Sequence, residues 1–211
     1  MPSKAGGQRR RPTQDRARAT REHILDTAAR LFGERGIEET STNRIAATAG
    51  VSVGTVYRYF SDRSVIIEEL IDRLVRRVEE RFTQRLFGRS GGSVKELVTG
   101  ILEAIDEELV DNAPLIRALS SGVHFYSSGL PELEPRLRLL VKVLVIQMLG
   151  PGDDHKYDVM TFVLINTGFA TLLRASELDA GSAQRKEAIE MTARMITAWA
   201  ETEMDAATRP A

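Results

Sequence analysis

Twenty consecutive residues, Ser41-Thr-Asn-Arg-Ile-Ala-Ala-Thr-Ala-Gly-Val-Ser-Val-Gly-Thr-Val-Tyr-Arg-Tyr-Phe60, carry the densest set of chemically useful groups in this 211-residue chain. Hydroxyls and an amide stand at two helix starts, tyrosines flank a basic residue, and Arg63 follows three positions on. Groups of this kind grip phosphates and touch base edges, and none is arranged to make or break a bond. Thiol nucleophiles, disulfides and thiolate metal sites are excluded because the chain has no cysteine. His23, His124 and His155 lie far apart, which speaks against a metal site. No Gly-x-Ser-x-Gly elbow occurs, and the pairs Glu68-Glu69, Glu79-Glu80 and Glu107-Glu108 are adjacent, so their members point apart on a helix. No catalysis, metal or cofactor is expected.

The elements that position these groups are helices. Apolar residues recur at helical spacing almost everywhere, and no alternating run is long enough for a strand, so the fold class is all-α with about nine helices. The first helix is expected from near Thr13 or Arg16 to Arg35, with Ile24, Ala28, Leu31 and Phe32 on one face and Gly36 ending it. Ser41 or Thr42 starts a short second helix through Ala49, stopped by Gly50; Ser52 starts a third over Val53 to Phe60; Asp62 starts a long fourth to about Leu86. Gly88 to Ser93 is a connector, since it lacks the lysine and following hydroxyl of a phosphate loop. Ser93, Pro114, the pair Pro131 and Pro135, Asp153 or Asp154, and Ser182 then mark five further helix starts. The last two run to about Glu177 and Asp205.

Within the twenty residues, Ile45, Ala46 and Ala49 face inward from one helix and Val56 and Phe60 from the next, with Gly50-Val51-Ser52 turning between them. That is a helix-turn-helix, whose second helix enters the major groove of DNA. Thr55, Tyr57 and Tyr59 fall on its exposed side, and Gly54 lets its amino end, with Ser52 and Val53, approach a phosphate. Thr42 and Asn43 are placed to bind the flanking phosphate, and Arg63 adds a charge-assisted contact. Taken singly, each tyrosine reads more readily as a half-buried packing residue than as a reader of bases.

The stretch resembles the TetR family of transcriptional regulators. The resemblance rests on Thr42, on Ile45 to Ser52, on Gly54 to Phe60 and Arg63, and on Ala28 to Gly36 before them; it covers about Glu22 to Leu70. Arg63 replaces the family's usual lysine, and Ser64-Val65 replaces its usual acidic pair, so the glutamate that would complete a capping box is missing. The resemblance implies a homodimer with a three-helix DNA-binding domain and a six-helix domain for ligand and dimerisation. The expected division is a disordered basic arm over 1–15, the DNA-binding domain over 16–61, the ligand and dimer domain over 62–205, and a disordered tail over 206–211.

Charge agrees with such a division. The net charge of −1 is a sum of +5 over residues 1–65 and −6 over residues 66–211, one part suited to a polyanion and one not. The arm Gln8-Arg-Arg-Arg-Pro12 is either a minor-groove or phosphate contact or a solvated tail. Val159 to Leu173 is apolar almost all round and calls for cover on several faces, either inside a monomeric bundle or across a dimer. The expected dimer residues are Phe162, Thr167, Gly168 and Ala170 on the eighth helix and Ile189, Thr192, Ile196 and Trp199 on the ninth. Effector contacts are expected among His124, Phe125, Tyr126, Gln147, Met148 and Asn166, each of which also has a plain structural reading. The expected partners are therefore double-stranded DNA with a pseudo-palindromic operator, a small apolar effector that releases a repressor, and a second copy of the chain. No signal peptide or membrane helix is evident, so a cytoplasmic location is expected, and the ratio of 24 Arg to 5 Lys hints at a GC-rich bacterial genome. A helical protein-binding adaptor would explain the all-α pattern but not the array from Thr42 to Arg63.

Overall fold

A computed structural model describes residues 11–88, 91–120, 130–176, 178–179 and 181–208. Among them are nine helices: α1 (Arg11–Arg35), α2 (Thr42–Thr48), α3 (Val53–Tyr59), α4 (Arg63–Phe87), α5 (Val94–Asp111), α6 (Ala113–Ser120), α7 (Leu130–Leu149), α8 (Asp154–Ala175) and α9 (Ala183–Thr208). The described residues form no strand.

Most boundaries follow from side chains that satisfy the free amides of a first turn. Ser41 accepts from the Arg44 N–H, Ser52 from Thr55, Asp62 from Val65 and Asp153 from His155. Ser93 and Glu96 complete a reciprocal capping box at α5. The Asp62 carboxyl is held below its ordinary range, first by the Val65 amide, which favours the charged cap. Gly36 and Gly50 take φ of +86° and +66°, the left-handed turn that side chains resist, and end α1 and α2.

Two ends differ from the sequence reading. The helix α1 begins at Arg11, within the expected arm, because Pro12 lies in a first turn where its missing N–H is no loss. The helix α9 continues to Thr208, into the expected tail. The start of α7 precedes both of its prolines, so Pro135 sits inside the helix and leaves one backbone carbonyl without its usual donor. The arm residues 1–10 and the tail residues 209–211 lie outside the described residues.

The chain divides into two units, Met1–Asp72 and Arg73–Ala211, and passes from one to the other within α4. In the first, Ile24, Leu25, Phe32, Ile45, Val56, Phe60, Ile66 and Leu70 are all but inaccessible and make one core beneath α1, α2 and α3. In the second, α5 packs on α9 and α8, and α7 on α8. Arg185 of α9, 3% exposed, meets the Asp106 carboxylate through Nη2 at 2.6 Å and Nε at 3.1 Å. Glu108 is buried with Arg77 at 3.2 Å and the Asn112 amide at 3.0 Å. Among the described residues no helix is long and apolar enough to cross a membrane.

Candidate functional site

The short helices of the first unit present one polar edge. Val53, Gly54, Tyr57 and Arg58 are exposed on α3, Thr55 and Tyr59 are half-buried, and Val56 and Phe60 point into the core. From α2, Asn43 and Arg44 are exposed and Thr42 is half-buried. The Tyr57 hydroxyl lies 3.2 Å from the Thr42 Oγ1, joining the start of α2 to the middle of α3. Tyr57 is 51% exposed, so its ring is not a packing residue, and the contact with Thr42 fixes its direction. Tyr59 is the mixed case: its ring carries the Arg58 guanidinium at 5.2 Å and tilts against Phe60.

Ser52 serves α3 twice, accepting from the Thr55 amide at 3.1 Å and pairing with the Thr55 hydroxyl at 2.8 Å. Gly54 has no internal reason to be glycine: a Cβ there would meet only the Ser52 Oγ, at 3.9 Å, and its φ is not positive. Glycine inside a helix costs about 0.5–1 kcal/mol relative to alanine, and no contact within the chain offsets that cost at this exposed first turn.

Arg63 behaves differently from the sequence expectation. Its Nη1 donates to the carbonyls of Ile37 at 2.8 Å and Glu38 at 3.2 Å, and its Nη2 to the Glu38 carboxylate at 3.0 Å. The guanidinium thus holds the turn between α1 and α2 in addition to standing beside α3. Arg21 stacks over Phe60 at 5.3 Å and bonds Glu69, bracing the end of α3 from behind. The exposed Arg44 and Arg58 are basic groups on this edge that the sequence reading missed; their place on the outward faces of α2 and α3 was the available signal.

The second unit contains a cavity of about 70 Å³ lined only by apolar side chains, among them Phe82, Ile101, Leu137, Leu164, Phe169 and Ile196. Gln147, Met148 and Asn166 do not line it; Gln147 and Asn166 are exposed, and the Asn166 amide donates to the Phe162 carbonyl at 2.8 Å. His124, Phe125 and Tyr126 lie outside the described residues.

The expected dimer face needs correction on four of its residues. Gly168, Ile189, Thr192 and Ile196 are buried within the chain itself, and Gly168 and Ile196 line the cavity. The regular stripe of α9 packs inward on its own bundle because it is the most apolar face that helix has. What remains outside is Val159, Phe162, Val163 and Ala170 on α8 with Met191, Met195 and Ala198 on α9, at helical spacing. Thr167 and Trp199 are half-buried. A Cβ on Gly168 would lie 3.5 Å from Leu102 and 3.7 Å from Ile196, ordinary contact. Gly168→Ala is therefore expected to hold or raise stability, by up to about 1 kcal/mol from helix propensity; a thermal melt that drops by several degrees would contradict this packing.

Residues 24–70 match the family described as bacterial regulatory proteins, tetR family. The chain is 35% identical over 97 residues to the HTH-type transcriptional regulator AcrR of Shigella flexneri, covering 44% of this chain and 45% of that one. It therefore spans less than half the length of that relative. It is 26% identical over 167 residues to the nucleoid occlusion factor SlmA of Pasteurella multocida, covering 74% and 82%. In solved structures, a tetR-family transcriptional regulator from Streptomyces coelicolor superimposes with a TM-score of 0.69 at 21% identity, over 90% of this chain and 86% of that one. A transcriptional regulator from Pseudomonas aeruginosa does so at 0.67 and 13% identity, over 88% and 92%. The family match falls on the helices that build the polar edge, and the shared all-α fold extends over both units. Over residues 24–70 the chain thus matches the TetR family of bacterial regulatory proteins, and over both units it shares the all-α fold of solved regulators.

Proposed function

We propose that the protein is a ligand-responsive repressor that binds a pseudo-palindromic operator as a homodimer, with α3 in the major groove, and carries no catalytic activity. The observation that carries this reading is the exposed Tyr57, held by Thr42 on the edge that also presents Thr55, Tyr59, Gly54 and the free first turn of α3. Thr42, Asn43, Ser52 and Val53 take the flanking backbone, and Arg44 and Arg58 supply positive charge. Two-fold symmetry places the half-sites about 34–36 Å apart or at a multiple of that distance.

Dimerisation is assigned to the exposed apolar residues of α8 and α9, Val159, Phe162 and Val163 with Met191 and Met195, since large apolar side chains left outside on packed helices are of the kind that mark an interface. Sensing is assigned to the apolar cavity. Its volume of about 70 Å³ is well below the roughly 300–1,000 Å³ of ordinary ligand pockets, so an apolar effector enters only by pushing the lining helices apart. One of them is α4, through Phe82, and α4 begins at Arg63, next to the reading edge. This gives the effector a differential affinity for a moved α4, which is what coupling between two sites requires.

Replacing Tyr57 by alanine is expected to weaken a selected operator about 10- to 100-fold while dimer and melting temperature stay as they are. Titration of the variant and the parent against a duplex recovered from random-oligonucleotide selection checks this. Unchanged affinity would return Tyr57 to the role of a surface ring, and a parent without sequence preference would end the regulator reading.

A further inference from the structure

Arg63 and Glu38 form a pair whose two halves are held very differently. Arg63 is 33% exposed and its Nη1 is fixed to the carbonyls of Ile37 and Glu38, so the guanidinium keeps its place whatever Nη2 does. Glu38 is 82% exposed and reaches Nη2 with one oxygen at 3.0 Å. Exposed ion pairs of this sort contribute little and exchange readily. The pair also stands where a nucleic-acid backbone would run: Ile37 and Glu38 lie in the turn leading to Ser41 and Thr42, and Arg63 follows α3 by four residues. A guanidinium fork that accepts a carboxylate accepts a phosphate by the same geometry.

We infer that Glu38 is an internal stand-in for a DNA phosphate, occupying the free edge of Arg63 and thereby setting the affinity of the reading head for DNA. The inference rests on the reading that this head binds DNA. Operator binding then exchanges one anion for another at Nη2, and the displaced carboxylate remains near the incoming backbone as a like charge. The first unit is consequently less adhesive to DNA in general than the 12 basic side chains over residues 1–65 suggest, because one guanidinium is already answered.

The test compares the full-length protein with Glu38→Gln, which keeps an acceptor for Nη2 and removes the charge, on two probes: a selected operator duplex and a random-sequence duplex. Glu38→Gln is expected to tighten both by about three- to ten-fold per head, with the salt dependence steeper by roughly one counterion per head. In an Arg63→Gln background the same change is expected to do much less. Because Arg63 also ties the turn, Arg63→Lys serves as a second background, with melting temperature reporting that each variant is folded. Equal affinity of Glu38→Gln and parent overturns the inference and leaves the DNA-binding reading intact. A gain that persists undiminished in both Arg63 backgrounds also overturns it, since it is then a general charge effect. A parent that binds neither duplex removes the reading beneath it and the inference with it.

Discussion

Asp106→Ala is expected to destabilise the second unit by about 3–5 kcal/mol, because it leaves a buried guanidinium without its counter-charge. Arg185 is 3% exposed and its bidentate partner is Asp106, 16% exposed, on the facing helix α5. The geometry makes the loss worse. Arg185 lies in the first turn of α9, where the aligned peptide dipoles favour anions and oppose a cation. Folded stabilities are only about 5–15 kcal/mol, so chemical denaturation of the variant should show a midpoint far below that of the parent. Replacing both residues together, as Asp106→Leu with Arg185→Met, is expected to recover most of the loss, since an apolar pair of similar volume needs no counter-charge. Should Asp106→Ala unfold at the parent's denaturant concentration, the pair is not buried in solution.

The second large effect concerns assembly. Phe162→Asp is expected to convert a dimer to monomers without unfolding the chain, because Phe162 is 53% exposed in the single chain and is not among its buried core residues. An aromatic anchor at the centre of an interface is worth about 2–4 kcal/mol, and two-fold symmetry removes it twice. The dissociation constant should rise by roughly a thousand-fold or more, which sedimentation at micromolar concentration reads directly, and operator binding should fall with it. Ile189→Asp is the contrasting variant: Ile189 is buried inside the chain, so its loss should lower the melting temperature of monomer and dimer alike. A Phe162→Asp protein that sediments as the parent does would place the interface on another face.

That contrast shows where sequence reasoning reached and where it stopped. Helix ends were readable because they are fixed by local chemistry: Ser41, Ser52, Asp62, Ser93 and Asp153 each do in the structure what their residue type does at any helix start. The buried and exposed faces of α2 and α3 were readable for a related reason, since two short helices with a turn between them leave few choices about which face is inward. The α9 face was not. Helical periodicity says that Ile189, Thr192 and Ile196 share a side, and it is silent on whether that side meets the chain's own bundle or a second copy. The more regular stripe went inside, and the looser set of Met191, Met195 and Ala198 was left out. The intrachain partners of Arg63, two carbonyls and a carboxylate 25 and 26 residues away, went unforeseen because they have no signature in sequence. The lining of the cavity was not legible either, since a cavity is a gap between side chains of several helices and no single residue announces it.

The seven-residue length of α2 and of α3 has a consequence for how the reading edge comes into being. Helices shorter than about 12–15 residues do not persist alone in water, because nucleation fixes several dihedrals before the first bond forms. Neither α2 nor α3 therefore exists as a preformed piece that docks. Both condense together with α1 onto Phe32 and Phe60, and both melt when that core opens. The amides of the edge proposed to meet DNA should thus exchange with solvent at the rate of whole-unit opening rather than by fraying, and that edge is all-or-none: it is either fully assembled or absent as a surface altogether.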